Sequence, residues 1–359
     1  MSDEPATLTY LSPKSAARHG RWLVWLVGSA ACAALILVVT HLSEEQEMLR
    51  LLQQIEPVWL LLALALQSCT YLAQGFIWRA AAAATGHRLP MAKAFEMSLA
   101  MLFINQALPS GGLSGMALIS GAVARIGMPR AVVVSAVLVD VSMYYLSYAA
   151  CMAAALAIAM HHDILPGWVL ALMGGFVAVG LGITWLVLTL ARNRPGHPLS
   201  RLRRFRPAAR ILDWVDEAGP ASTQQPRVQL QAFACHVTIF LLDAGTLWVA
   251  ARSLGASPGM EAVFASFMVS TLFRTLGVMP GGLGTFETAS VMTLKSIGLP
   301  LSVGLSATLL FRGLSFWLPM LPGLACSRRM LKHPPATEIG AAFTTPSTDG
   351  QTDDASPAR

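Results

Sequence analysis

The chain has 359 residues, of which 55% are hydrophobic and only 12% are charged, and its formal net charge is +6. Soluble domains carry about 25% charged residues, so this composition excludes an ordinary soluble enzyme or binding module. Long apolar stretches recur along almost the whole chain, which predicts an all-α polytopic membrane protein. The basic residues cluster at the ends of these stretches, as the positive-inside rule predicts, so we expect no nucleic-acid partner.

Residues 1–21 are polar and end in basic side chains, which predicts a cytoplasmic N-terminal segment. Residues 22–331 are predicted to form a single transmembrane domain. Residues 332–359 are rich in proline, threonine, serine and aspartate, and we expect a disordered cytoplasmic tail. The distribution of basic loops places both termini on the cytoplasmic side of the plasma (inner) membrane. Six stretches are long enough to cross it: 22–42, 58–80, 131–160, 168–191, 228–251 and 301–326.

Two further pairs of apolar stretches are interrupted by proline and glycine. The first pair comprises residues 94–108 and 113–126, and the second comprises residues 261–279 and 285–297. A stretch of about 15 residues reaches about 22 Å as a helix, short of the roughly 30 Å hydrocarbon core. Each pair is therefore predicted to be a re-entrant, broken helical hairpin that returns to its own side. The fold prediction is about six full spans plus these two hairpins.

The two broken pairs are copies of one unit. Pro109-Ser110-Gly111-Gly112 aligns with Pro280-Gly281-Gly282-Leu283 at an offset of 171 residues, and the same offset carries Gly127-Met128-Pro129 onto Gly298-Leu299-Pro300. Three spans separate the hairpins, and an odd number makes the repeat inverted. Inverted repeats with interrupted helices are typical of transporters that bind substrate near the bilayer midplane. The repeat units cover about 94–160 and 261–326.

Five charged residues lie inside apolar stretches: Asp140, Asp243, Arg274, Glu287 and Arg312. Each costs about 2.5–3.5 kcal/mol at the centre of a span on insertion scales, so such residues are functional candidates. A structural ion pair between helices is the alternative. Because no ATP-binding motif is present, transport would be passive or coupled to an ion gradient. Asp140 and Asp243, together with Glu287, are the candidate proton carriers.

The second break combines charge with exposed backbone. Arg274 precedes it and Glu287 stands in the first turn of the helix that follows. A guanidinium beside the backbone N–H groups of a glycine-rich turn makes a cradle for an anion such as a lipid phosphate. The rival interpretation is that Glu287 only caps its helix. The predicted substrate-binding residues here, with Arg312 on the last span, are Arg274, Pro280, Gly281, Gly282, Gly284, Glu287 and Arg312.

The first break is neutral. Its polar groups either hydrogen-bond a lipid headgroup or only satisfy the broken backbone. The five cysteines form no CxxC pair, and no nucleophile stands beside a base, so we expect no metal site, no cofactor and no catalytic residue. The predicted substrate-binding residues of this break are Asn105, Pro109, Gly111, Gly112 and Ser114.

Arg274, the stretch Pro280 to Glu287, Arg312 and Trp317-Leu318-Pro319 resemble the flippase-like family that includes the membrane region of lysylphosphatidylglycerol synthase. The resemblance covers roughly residues 20–330. It implies a protein that moves lipids between leaflets, including aminoacylated phosphatidylglycerol, with polyprenyl-linked, glycosylated or hopanoid-related lipids for other members.

Two departures from the family pattern matter. Residues 115–118 carry no charge where many members have an acidic residue and an arginine, which puts an aminoacyl-phosphatidylglycerol substrate in doubt. The soluble aminoacyl-transferase domain is also absent, so we expect no enzyme that attaches lysine to lipid.

Three hypotheses follow. The first is a lipid transporter or flippase with its headgroup site between the two breaks. The second is a non-transporting accessory or scaffold that assists lipid-biosynthesis enzymes of a hopanoid, glycolipid or aminoacyl-lipid pathway. The third is an intramembrane enzyme that acts on a lipid headgroup. The sequence names neither the lipid nor the oligomeric state.

Overall fold

A computed structural model describes residues 55, 57–84, 86–107, 130–192, 225–277 and 280–331. The main helices within these residues are α1 (Pro57–Ala84), α2 (Met91–Ala107), α3 (Arg130–His161), α4 (Gly167–Arg192), α5 (Pro226–Ser253), α6 (Met260–Leu276), α7 (Thr285–Ser296), α8 (Leu301–Arg312) and α9 (Leu318–Leu331). The prediction of an all-helical membrane protein is confirmed.

Four stretches of the described residues are long and apolar enough to cross a membrane: α1, α3 from Ala136, α5, and the combined α8–α9 segment up to Met330. They coincide with four of the predicted spans. Helix α4 follows a fifth, although its most apolar described part, Gly167–Gly182, is shorter. The predicted span 22–42 and the hairpin arm 113–126 lie outside the described residues. The arrangement of six spans plus two hairpins therefore stays a prediction.

Helices α1 and α5 lie antiparallel. The Gln225 amide, just before α5, donates a hydrogen bond to the Ala84 carbonyl at the end of α1 (3.3 Å). Farther along, Gln67 on α1 meets Asp243 on α5. The main apolar core lies beside this pair, where α3, α5, α6, α7 and α8 meet. Its largest fully buried side chains include Tyr148, Met152, Leu247, Met268, Leu272 and Phe286.

The second predicted hairpin is present as α6, a short 3-10 turn (Pro280–Gly282) and α7. Its arms are antiparallel, because Ser266 in the middle of α6 hydrogen-bonds Thr293 near the end of α7. The arms have 17 and 12 residues, which corresponds to about 26 Å and about 18 Å of helix. Neither arm reaches across a hydrocarbon core of about 30 Å. The break falls at the proline and glycines, as predicted.

The last span contains an irregularity that hydropathy did not predict. Between α8 and α9 the backbone forms a π-helical turn, Gly313–Trp317. Pro319 explains it, because a proline has no N–H for the carbonyl four residues earlier and its ring pushes that carbonyl away. That carbonyl belongs to Ser315, and it instead accepts a hydrogen bond from the Tyr71 hydroxyl of α1 (3.4 Å). The turn begins directly after Arg312.

Candidate functional site

Three glycines shape the turn between α6 and α7. Gly281, Gly282 and Gly284 have φ angles of 65°, 66° and 83°. These angles lie in the left-handed region, which costs other L-residues roughly 1–2 kcal/mol each. Two of the positions are also crowded, since a Cβ at Gly281 would overlap the Phe316 ring and a Cβ at Gly282 would overlap Arg274. The glycines therefore let the turn approach α6 and the π-helical turn closely.

Gly282→Ala should lower the free energy of unfolding more than Gly284→Ala. Both substitutions force alanine to a positive φ, but a Cβ at Gly282 also meets the Arg274 backbone Cα at 2.9 Å, whereas nothing lies within 4 Å of one at Gly284. We expect about 1 kcal/mol for Gly284→Ala and at least twice that for Gly282→Ala. Thermal unfolding of the purified variants in detergent measures the difference. Equal losses would contradict the close approach of the turn to α6.

Glu287 stands in the first turn of α7, and its carboxylate makes two short hydrogen bonds. Oε2 accepts the Gly284 N–H (2.6 Å), and Oε1 accepts the Arg312 Nε–H (2.7 Å). The antiparallel packing of α7 and α8 places these side chains opposite each other, one turn beyond the Ser290–Thr308 hydrogen bond. Both side chains are buried, with 6% and 4% of their surface exposed. Glu287 is thus both a helix cap and half of an ion pair.

Arg312 also contacts the glycine turn directly. Its NH2 group donates to the Gly281 carbonyl (3.0 Å), and its guanidinium lies 4.4 Å from the Phe316 ring centroid and 5.3 Å from that of Phe286. Such cation–π contacts are strongest where water is excluded. The pair is therefore internally neutralised and hydrogen-bonded, and it fixes the shape of the turn. It does not offer a free charge to a ligand.

Arg274 is a second cation beside the turn, and it is not part of the Glu287–Arg312 pair. It lies in the last turn of α6, is only partly buried, interacts with the Tyr144 hydroxyl as a hydrogen-bond donor, and comes within electrostatic range of Asp243. In the part of the chain that the structure describes, the ion pairs inside the bundle are Glu287–Arg312 and Asp140–His236, and Arg274 belongs to neither. Its guanidinium is thus the group best placed to meet an anion.

A second polar layer joins α1, α3 and α5. Gln67 donates to Asp243 (3.1 Å), and Asp140 pairs with His236 at 3.0 Å while accepting from Gln74 at 3.3 Å. The two predicted aspartates thus each have a glutamine partner on α1.

Sequence reasoning missed His236, Gln67 and Gln74. The signal was available, because Gln67 and Gln74 are seven residues apart on α1, as are His236 and Asp243 on α5. Residues seven apart share one face of a helix, and antiparallel packing matches the two sets. Polar residues at matched spacing on two apolar spans are therefore a usable predictor of such layers.

Helix α2 ends at Ala107, just before the first predicted break. The same helix contacts the Pro280–Gly282 turn of the second break. Asn105 and Gln106 lie in the last turn of α2, and among the described residues neither Asn105 Oδ1 nor Gln106 Oε1 has a hydrogen-bond partner although both atoms are buried. The other predicted residues of this break, Pro109, Gly111, Gly112 and Ser114, lie outside the described residues.

Comparison with known proteins places this architecture in a family. Residues 10–323 match the lysylphosphatidylglycerol synthase TM region along nearly the whole membrane part of the chain. The chain belongs to this family. It is accordingly an integral, multi-pass membrane protein, and the resemblance carried by Arg274, the 280–287 stretch and Arg312 is confirmed.

Two similar proteins are both named UPF0104 membrane proteins. A UPF0104 membrane protein of Methanothermobacter thermautotrophicus is 22% identical over 327 residues, which cover 86% of this chain and 95% of the relative. A UPF0104 membrane protein of Methanocaldococcus jannaschii is 29% identical over 92 residues, 26% of this chain and 27% of the relative. The first is matched almost end to end, so it shares the membrane region as a whole.

Proposed function

We propose that this protein moves a lipid between the leaflets of the membrane, binding its headgroup between the two Pro-Gly breaks. The observation that carries the proposal is the broken hairpin itself. A glycine turn inside the helical bundle is held by a buried, neutralised ion pair, with the further cation Arg274 beside it. Irregular backbone at this depth is tolerated where it is buried in protein or lines a cavity, and in transporters such breaks lie at the substrate site.

The groups at the breaks suit a phosphate-containing headgroup. Arg274 offers a fork of N–H donors that matches phosphate oxygens. Across the site, the carbonyl oxygens of Asn105 and Gln106 can accept hydrogen bonds from hydroxyl or amine groups. We propose a phospholipid, a hopanoid-related lipid or a lipid-linked glycan as substrate. Both roles are binding roles, and the proposal assigns no covalent chemistry to the chain.

Leaflet exchange in reconstituted vesicles tests the proposal. Vesicles that contain the purified protein and trace fluorescent lipids are treated with an impermeant quencher, and the fraction of lipid that becomes accessible is followed in time. We expect faster exchange than in protein-free vesicles for at least one lipid of a panel that varies the headgroup. Folded protein that accelerates none of them would contradict transport and favour the accessory role in a lipid pathway.

The Asp140–His236 pair supplies a way to couple this movement to protons. A carboxylate inside a membrane bundle is a candidate proton carrier, and polar or ionisable partners beside it mark a proton path. The pair joins α3 to α5, and Gln74 ties it to α1. We propose that proton uptake by Asp140 removes the negative charge that holds this link between spans, and that Asp243, seven residues from His236 on α5, is a second proton carrier.

Asp140→Asn should remove the response of lipid exchange to a pH gradient. Asparagine keeps the shape of the side chain but not its charge, so protonation no longer changes the pair. The measurement compares exchange with a gradient of about one pH unit and after an ionophore collapses it. Asp163→Asn, in the exposed turn after α3, is the matched control. A gradient response retained in Asp140→Asn would contradict coupling through this pair.

A further inference from the structure

A lipid-sized groove lies at one end of the bundle, and none of the described residues that line it belongs to the 280–287 stretch. It has a volume of about 830 Å³ and runs between the end of α1, the 86–90 connection and the first part of α5. Its rim carries Arg79, His87 and Arg88, and its walls include Phe76, Ala80 and Ala234. Among the described residues that line it, none is acidic. The groove is therefore basic at the rim and apolar along its walls.

The basic rim is held in place by the backbone. Gly86, at φ 80°, ends α1, and two hydrogen bonds close the turn: Gly86 N–H to Ala83 O (3.1 Å) and His87 N–H to Ala82 O (3.0 Å). This double closure is the Schellman motif. Pro90 then starts α2, since its carbonyl accepts the Ala94 N–H. The rim is thus a short connection fixed at both ends.

Among the described residues, the two arginines of this rim, Arg79 and Arg88, form no salt bridge with a carboxylate. The Arg79 guanidinium lies 5.7 Å from the Phe76 ring centroid and contacts the Met91 sulfur at 3.8 Å. Lys93, on the next helix, is instead paired with Glu96 (3.0 Å). Among the described residues, the salt bridges nearby therefore leave Arg79 and Arg88 available to an outside anion.

The apolar wall continues from the rim toward the middle of the bundle. Leu72, Phe76, Ala80 and Ala83 recur every three or four residues on α1, and both Leu72 and Phe76 are exposed although they are large and apolar. The stretch from Ala83 to Leu72 is about 16 Å long as a helix. On α5 the facing wall is formed by Gln231, Ala234 and Cys235. This shape accepts an acyl chain lying along the two antiparallel helices.

We infer that this groove binds an anionic phospholipid, with the phosphate at Arg79 and Arg88 and an acyl chain against Phe76 and Ala80. Basic pockets between spans at the membrane surface are the sites at which proteins hold anionic headgroups. The apolar wall is what selects a lipid over a free phosphate. The site is separate from the helix breaks, so it stands whether or not the protein exchanges lipids between leaflets.

Lipid retention tests the inference. The purified protein is titrated with phosphatidic acid, with phosphatidylcholine and with glycerol 3-phosphate, which has the same headgroup without acyl chains, and bound ligand is counted by native mass spectrometry. We expect retention of phosphatidic acid, about tenfold weaker retention by Arg79→Gln/Arg88→Gln, and unchanged retention by the control Lys93→Gln. Ala80→Phe places a ring in the apolar part of the groove and leaves both arginines unchanged, so it should weaken phosphatidic acid retention as well.

Two outcomes would overturn the inference. Equal retention of phosphatidic acid by the native protein and the double arginine variant would show that the rim does not hold the phosphate. Equal binding of glycerol 3-phosphate and phosphatidic acid, insensitive to Ala80→Phe, would show a free anion site. Circular dichroism and size-exclusion profiles matched to the native protein confirm that the variants are folded, and Arg79→Lys/Arg88→Lys, which keeps the charge, should restore most of the retention.

Discussion

Glu287→Gln should sharply reduce both the free energy of unfolding and the rate of lipid exchange. Ser114→Ala, at the first break, should have little effect on either quantity. The carboxylate neutralises Arg312 and accepts the Gly284 N–H, so its loss leaves a buried guanidinium without a counter-ion. Removing one partner of a buried ion pair typically costs about 3–5 kcal/mol. We expect exchange to fall because the turn that frames the headgroup site loses its shape.

A double-substitution cycle separates charge from shape. Arg312→Met removes the guanidinium, and Glu287→Gln/Arg312→Met leaves no uncompensated charge. The double variant should therefore lose less stability than the sum of the two single variants, with a coupling of about 1–3 kcal/mol. Chemical unfolding in detergent gives the stabilities. Additive losses, or equal effects of Glu287→Gln and Ser114→Ala on exchange, would contradict the role assigned to the pair.

The position of the second break was predictable because it rests on local chemistry. A proline followed closely by three glycines strongly disfavours a continuous helix, so the 280–284 stretch already predicts a turn between two short helices. The charged residues were also visible, since Arg274, Glu287 and Arg312 stand out against apolar sequence. The structure places them around one turn, as expected for a single site.

The pairing of these charges was not predictable from spacing. The sequence favoured Arg274 and Glu287 as one frame, but the carboxylate turns to Arg312, 25 residues later. That choice depends on how α7 packs against α8, which is a tertiary property. Glu287 therefore acts as helix cap and as counter-ion of Arg312. In the proposed headgroup site the cation is Arg274.

The π-helical turn illustrates the same limit. Pro319 predicts that one backbone hydrogen bond is lost, but it does not predict whether the helix kinks, ends or widens. Here Tyr71 of α1 supplies a donor to the released Ser315 carbonyl, and Phe316 fills the space above Gly281. Widening of the helix after Arg312 lets the guanidinium reach back to the Gly281 carbonyl. An irregularity in one helix and a break in another are thus parts of one local structure.

Arg274→Gln should abolish most lipid exchange and leave the fold intact. Unlike Arg312, Arg274 is only partly buried and belongs to neither buried ion pair, so its loss should cost about 1 kcal/mol of stability or less. Its proposed partner is the headgroup phosphate. A hydrogen bond to a charged group contributes about 1.5–3 kcal/mol, which corresponds to roughly 10- to 150-fold in exchange rate.

The matched variants for Arg274 make this test specific. Arg274→Lys keeps the charge but loses the bidentate fork, so exchange should be intermediate. Arg252→Gln, at the end of α5, removes a guanidinium that stacks on Trp248 and bonds Ser257, and it should leave exchange unchanged. If the folded Arg274→Gln variant exchanges lipid at the rate of the native protein, the headgroup is bound elsewhere. Equal reductions of the exchange rate in Arg274→Gln and Arg252→Gln would show the same. A selective loss would instead separate the cation that holds the lipid from the ion pair that holds the turn.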